Sequence, residues 1–137
     1  MGKGRVLVVD DSAMVRRAIV LTLSSSAELE ALVGDVLEAC DGTSALRIMA
    51  ESQPDLVLCD LVMPGFDGLK VLRARVGHPE LLAIPVIMLT GEADRDRQTE
   101  LFDAGAADCV AKPFEEHELV SRVGTYLRAR VAREPAV

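Results

Sequence analysis

Four short apolar runs, each ending on a polar residue, set the pattern of this chain. Val6-Leu7-Val8-Val9 leads into Asp10-Asp11, and Leu56-Val57-Leu58-Cys59 leads into Asp60. Val86-Ile87-Met88-Leu89 ends at Thr90, and Val110-Ala111 ends at Lys112-Pro113. Such runs predict strands over 6–9, 55–59, 86–89 and 108–111, apolar enough to be covered on both faces. Asp35 to Ala39 predicts a weaker strand, ended by the Asp41-Gly42 turn.

Between the strands the apolar period lengthens to that of a helix. Ser12 suits the N-cap of a helix over Ala13 to Leu23, where Val15, Ile19 and Leu23 share one face. Ser24-Ser25-Ser26 interrupts that pattern, and Ala27 to Val33 fits either an extra turn or a short second helix. Thr43 or Ser44 caps a helix that reaches Ser52 and is stopped by Pro54. Met63 to Gly68 reads as a loop with two turn signals. A helix over Leu69 to Val76 turns Leu69, Leu72 and Val76 inward, and Gly77 to Pro85 is a connection. Glu92 to Ala104 predicts a polar helix with a sparse apolar face of Leu101 and Phe102, ended by Gly105. The last helix, Glu115 to Arg130, carries a stripe of Leu119, Val123 and Leu127, and the tail from Arg133 reads as frayed.

Five strands alternating with five helices predict a doubly wound α/β fold with a five-stranded parallel sheet. Short connections leave no room for a second unit, so residues 1–137 read as one domain with its core over residues 4–130. Half of the residues are apolar, with three Phe, one Tyr and no Trp, so the core is aliphatic. The net charge of -7, from 15 basic and 22 acidic residues, argues against direct nucleic-acid binding. The apolar runs are too short to span a bilayer, and the N-terminus enters a strand without a signal-peptide pattern. Together these favour a cytoplasmic location. Cys40, Cys59 and Cys109 have no metal-binding spacing, and Cys59 reads as a small buried apolar residue.

In a doubly wound sheet, ligands bind beyond the carboxyl ends of the strands. There the pattern collects Asp10, Asp11, Asp60, Thr90 and Lys112. Taken singly, each has an ordinary structural explanation: a cap, a strand end or a solvated charge. Placed along one edge, they make a site for a divalent cation and a phosphoryl group. Hard oxygen donors suit Mg²⁺, with Asp11 and Asp60 as direct ligands, Asp10 holding a bound water, and the Val62 backbone carbonyl completing the protein side. Asp60 is the candidate nucleophile, Lys112 a point charge on a phosphoryl oxygen, and Thr90 a hydroxyl donor to another. No Walker loop, dinucleotide fingerprint or nucleophile elbow is present, and His78 and His117 read as exposed.

Asp10-Asp11, Asp60 followed by Met63-Pro64 and Asp67-Gly68, then Thr90, then Lys112-Pro113-Phe114 together resemble the receiver domain of two-component response regulators. The likeness runs over the whole chain. It implies a flavodoxin-like strand order 2-1-3-4-5 with helices on both faces. It also implies phosphorylation of Asp60, with Mg²⁺, by a sensor histidine kinase or phosphotransfer protein. A cis Lys112-Pro113 bond, self-catalysed phosphorylation and hydrolysis without a conventional external substrate, and a switched downstream protein partner follow from the same likeness. A homodimer stays open, and no membrane insertion is expected. The chain departs from the family in three places: Cys109 stands where an aromatic residue is usual, Gly91 where alanine is usual, and Ser24 to Val33 is longer than the usual turn. Val62 and Glu92 flank the expected pocket entrance and, with Gly91, Cys109 and Pro113, are candidate modulators. The alternative is a phosphorylation-independent binding scaffold on the same fold; an ordinary enzyme lacks loop material for a substrate cavity.

Overall fold

A computed structural model describes residues 2–133, apart from the side chains of Glu92, Ala93 and residues 131–133. Five strands form one parallel sheet: β1 (Gly4–Val9), β2 (Val33–Ala39), β3 (Leu56–Asp60), β4 (Val86–Thr90) and β5 (Asp108–Ala111). Their order is β2-β1-β3-β4-β5, as expected. The register puts Val8 beside Leu58, Leu58 beside Ile87, and Leu89 beside Val110. It thereby levels the carboxyl ends of the central strands.

Side chains of a strand alternate between the two faces, so each apolar run feeds two cores. Leu7, Val9, Val57, Cys59, Val86 and Met88 belong to one buried cluster. Helix α2 (Gly42–Ser52) supplies it with Ala45 and Met49, α3 (Gly68–Ala74) with Leu69, Val71 and Leu72, and α5 (Gln98–Asp103) with Leu101. Val6, Val8, Leu56, Leu58, Ile87 and Leu89 belong to the other. That face is covered by Ile19 and Leu23 of α1 (Ala13–Ser25) and by Leu119, Val123 and Leu127 of α6 (Glu116–Arg133). Each of these Val, Leu or Ile side chains contributes about 1.5–3 kcal/mol by leaving water.

Several boundaries differ from the sequence reading, each for a local reason. Asp41, not Thr43 or Ser44, caps α2: its carboxylate accepts the Ser44 N–H at 2.7 Å. Of the two readings of the stretch after α1, the turn holds: Ala27 to Leu32 forms hydrogen-bonded turns, with Leu29 buried against the sheet. The connection after α3 contains one short turn of helix, α4 (Pro79–Leu82), with Pro79 at its first position. The expected helix from Glu92 begins as a 3-10 turn, Glu92–Arg97, and becomes α-helical only at Gln98. No side chain caps that 3-10 turn.

Val76 was expected inward, yet it is exposed, because α3 ends at Ala74 and the buried place falls to Arg75. The Arg75 guanidinium donates to the carbonyls of Leu72, Ile84 and Gly105 at 3.5, 2.8 and 2.9 Å. It joins the end of α3 to the lead-in of β4 and to the turn before β5. Phe102 is likewise half out of the core while Leu101 is buried. The tail beyond Arg133 lies outside the described residues.

The start of α3 is pressed against the backbone that follows the β3 carboxyl end. The Gly68 N–H donates to the Leu61 carbonyl at 2.8 Å. A Cβ on Gly68 would lie 2.7 Å from the Asp60 carbonyl oxygen and 2.3 Å from the Met88 methyl. Gly68→Ala is therefore expected to cost about 1–3 kcal/mol, from overpacking against backbone that cannot retreat. Urea unfolding should show a lower midpoint at unchanged slope; an unchanged midpoint would contradict the close approach.

Candidate functional site

The levelled strand ends bring polar residues from β1, β3 and β5 to a common point. Asp10 follows β1 and is almost fully buried. Its N–H donates to the Ala39 carbonyl at 3.1 Å, and its Oδ1 accepts the Ser12 N–H at 2.9 Å. Ser12 in turn caps α1 by accepting the Val15 N–H. Asp60 closes β3 and is buried with the strand. Lys112 follows β5, and its N–H donates to the Thr90 carbonyl at 2.6 Å. The Lys112–Pro113 bond is cis, as the resemblance implied.

The Lys112 ammonium bridges the two buried carboxylates. Nζ lies 2.9 Å from Asp10 Oδ2 and 3.1 Å from Asp60 Oδ1. Asp11 is exposed at the rim, and the carboxylates of Asp10, Asp11 and Asp60 each offer an oxygen within 4.8 Å of the others. All five strand-end residues picked from the sequence thus occupy this edge.

Burial governs the electrostatics. Desolvation raises the Asp60 pKa above the usual carboxylate value, and the Asp10 charge adds to the rise. Hydrogen bonding and charge from Lys112, and the Val62 N–H, oppose it without cancelling it. Burial also disfavours the Lys112 ammonium, but its hydrogen bonds to Asp10 and Asp60 prevail and raise its pKa. The Asp60 shift thus follows chiefly from burial, and the Lys112 shift from its two carboxylate partners. Three hard oxygen donors at one point fit a divalent cation, and this cluster could hold one.

Thr90 is buried at the end of β4, and among the described residues its Oγ1 has no hydrogen-bond partner. A buried hydroxyl left so costs about 1–3 kcal/mol. Val62 is exposed at the rim, two residues beyond Asp60. Gly91 is half-buried directly after Thr90. Pro113 is exposed, and Cys109 is half-buried beside Met88, packed against the α3 and α5 side of the core. The Glu92 side chain lies outside the described residues. Cys59 is fully buried and its thiol pKa is pushed up by desolvation, which fits a packing role. His78 and His117 are exposed.

Two contacts around the site were not read from the sequence. Arg16 Nη1 donates to the Asp10 carbonyl at 2.6 Å, and its Nε donates to Glu38 at 3.1 Å. The available signal was an arginine one turn into the helix that Ser12 caps. Asp67 caps α3 by accepting the Lys70 N–H, and Arg97 lies 3.9 Å from it. That pair links the loops after β3 and β4, a pairing invisible without the fold.

A parallel sheet of this order, with carboxylates, a hydroxyl and a lysine at its carboxyl edge, defines a class of α/β domain with an acidic site at the topological switch. The model of the response regulator receiver domain matches residues 6–124, and the chain belongs to that family. It is 39% identical over 135 residues to the DNA-binding response regulator MtrA of Mycobacterium tuberculosis, covering 96% of this chain and 54% of that one. Against the phosphate regulon transcriptional regulatory protein PhoB of Pseudomonas aeruginosa, identity is 35% over 124 residues, covering 90% and 51%. The chain thus spans about half the length of the curated relatives it matches. Among solved structures, it is similar to the receiver domain of a signal transduction histidine kinase from Syntrophus aciditrophicus. That match has a TM-score of 0.81 at 29% identity and covers 98% and 96% of the two chains. The receiver domain of NtrX from Brucella abortus gives 0.76 at 29%, covering 90% and 98%.

The raised Asp60 pKa fixes the sign of a stability test. Folding favours the protonated carboxyl, so this contribution is full below the unfolded value of about 3.9 and is lost as pH rises through the higher folded value. Ionising the buried Asp60 therefore costs stability. Asp60→Asn is expected to raise the urea midpoint at pH 7 without divalent cation, with the gain shrinking toward pH 4. A variant no more stable than wild type at pH 7 would contradict this balance.

Proposed function

We propose that this chain is a phosphoacceptor signalling domain that takes a phosphoryl group onto Asp60. The observation that carries the reading is a buried Asp60 held against Lys112, with the Thr90 hydroxyl, unpaired among the described residues, at the end of the adjoining strand. Family membership supports it. Asp10, Asp11 and Asp60, with the Val62 carbonyl, would hold Mg²⁺. When bound, Mg²⁺ neutralises the clustered carboxylates and screens an incoming anionic donor.

In the reaction, an Asp60 carboxylate oxygen forms the new bond to phosphorus as the donor's phosphorus–nitrogen bond breaks. The bonding pair leaves with the imidazole of a phosphohistidine. Lys112 then balances charge on one equatorial phosphoryl oxygen, and the Thr90 hydroxyl donates to another. Both interactions strengthen as charge builds, so they lower the barrier rather than merely bind the donor. Hydrolysis follows when water attacks phosphorus as the bond from phosphorus to the Asp60 oxygen breaks, releasing inorganic phosphate and the free carboxylate; Val62 lines the rim without a side-chain hydrogen bond to offer that water.

A sensor histidine kinase or phosphotransfer protein is the donor in this reading. An apolar groove lined by Val15, Ala18, Pro113 and Phe114 opens beside Lys112. It offers such a protein a surface adjoining the reacting atoms. Phosphorylation would shift an equilibrium between surfaces and so alter binding of a downstream partner. Among the described residues no helix is long and apolar enough to cross a membrane. We place the chain, as one domain, in the cytoplasm, and we treat Gly91, Glu92, Cys109 and Pro113 as modulators of the switch. The rival reading, a scaffold that needs no phosphorylation, draws on Gly91 and on the small half-buried Cys109 where the family usually has an aromatic residue. The intact bridge from Lys112 to Asp60 favours the first reading.

Intact mass after incubation with acetyl phosphate tests the proposal. One adduct that needs Mg²⁺, is lost in EDTA and is absent from Asp60→Asn is expected. No adduct under any condition would favour the scaffold. Lys112→Ala should retain Mg²⁺ binding by calorimetry while its labelling rate falls about 100-fold, the scale of losing one charge-stabilising group. Loss of Mg²⁺ binding as complete as in Asp11→Ala would contradict that division of roles.

A further inference from the structure

Asp11 is the one member of the acidic cluster that nothing holds by its side chain. Among the described residues its carboxylate has no hydrogen-bond or ion-pair partner, whereas Asp10 and Asp60 both grip Lys112. Its aim is therefore set by the backbone that carries it. That backbone is the Asp10–Asp11 peptide, whose carbonyl oxygen accepts Arg16 Nη1 at 2.6 Å. Arg16 is itself fixed at both ends. Its backbone N–H donates to the Ser12 carbonyl within α1, and its Nε donates to Glu38 near the end of β2. Its side chain is only 16% exposed. With the Asp10 N–H bound to Ala39, both main-chain polar groups of Asp10 are held from fixed elements.

We infer that Arg16 is a positioning residue for the divalent-cation site. It locks the peptide plane that presents the Asp11 carboxylate, and Glu38 locks Arg16. This rests on the phosphoacceptor reading above, in which Asp11 is a metal ligand. A guanidinium suits the task because its planar fork serves the carbonyl and the carboxylate at once. A lysine ammonium, a point charge on a flexible stem, cannot hold both in one fixed geometry.

The sign of the effect separates this role from a simpler one. Arg16 is a cation close to a cation site. If its charge were what mattered, removing it would tighten Mg²⁺ binding. If it aims Asp11, removing it loosens binding despite the lost repulsion. Supporting groups around metal ligands typically change affinity by about 10–100-fold. Because Arg16 acts through one ligand of several, about tenfold is expected.

The experiment is calorimetric titration of Mg²⁺ into the full chain as wild type, Arg16→Gln, Arg16→Lys and Glu38→Gln. Acetyl phosphate labelling against Mg²⁺ concentration runs in parallel. Thermal melts in EDTA show that each variant is folded, and Glu38→Gln, half-exposed at the surface, serves if an Arg16 variant is not. Weaker Mg²⁺ binding is expected in both Arg16 variants and, to a lesser degree, in Glu38→Gln. The labelling half-saturation should rise to match, with the plateau rate at saturating Mg²⁺ little changed. Unchanged or tighter binding in Arg16→Gln overturns the inference, as does Arg16→Lys equal to wild type. A lowered melting temperature with unaltered Mg²⁺ affinity would reduce Arg16 to a fold-stabilising contact. Mg²⁺ binding by wild type without any Asp60 adduct would sink the phosphoacceptor reading while leaving the Arg16 comparison intact. A wild type with no Mg²⁺ affinity would overturn both.

Discussion

The Lys112 ammonium, shared between Asp10 and Asp60, is the contact on which the site depends. It connects residues 102 and 52 positions apart in the chain, each placed by a different strand. Two carboxylates buried side by side repel, and the desolvation of each is costly unless a cation is near. Lys112 supplies that cation from the far side of the sheet, and the sheet's register makes the reach short. A slip of one residue in any central strand would turn its terminal side chain to the opposite face and leave the lysine with one partner or none. Site and fold therefore constrain one another: the cores hold the register, and the register makes the acidic pocket tolerable.

Much of this was legible in the sequence because the informative signals were local. An apolar run ending on Asp, Thr or Lys needs no tertiary knowledge to be read as a strand end, and parallel topology then aligns the ends. Ile19, Leu23, Leu119, Val123 and Leu127 were buried as their helical spacing predicts. The residues that escaped were those whose partners are distant backbone atoms. Arg75 looks like a surface charge in sequence, yet it is buried among carbonyls from three segments. Arg16 looks like a polar residue on the outer face of α1, yet it reaches back to the Asp10 carbonyl. Val76 was misplaced for the same reason, since nothing local announces that α3 stops two residues earlier. Asp41 was overlooked as a cap because the Asp41-Gly42 pair also reads as a turn.

The two sides of the site differ in how firmly they are held. On the β1 side, Asp10 is secured by Ala39, Ser12, Arg16 and Lys112. On the β4 side, Thr90 leads through Gly91 into a 3-10 turn without a side-chain cap, and the side-chain ties across to α3 include the partly exposed pairs Arg97–Asp67 and Arg73–Glu100. An exposed pair of that kind contributes at most about 1 kcal/mol. The asymmetry gives a rigid wall at the carboxylates and a softer wall at the hydroxyl.

Arg75 carries a consequence of another kind. Every acceptor it uses is a main-chain carbonyl, at Leu72, Ile84 and Gly105. Changing the side chains at Leu72 or Ile84 removes no acceptor. Among the described residues the stringent neighbour is Gly105, where φ is +107° and an added Cβ would stand 2.8 Å from the guanidinium. Descendants of this chain can thus remodel the surface on which α3, α4 and α5 meet while inheriting the joint between them. The segments it joins can diversify around a joint whose side-chain demands, among the described residues, fall on Arg75 and Gly105.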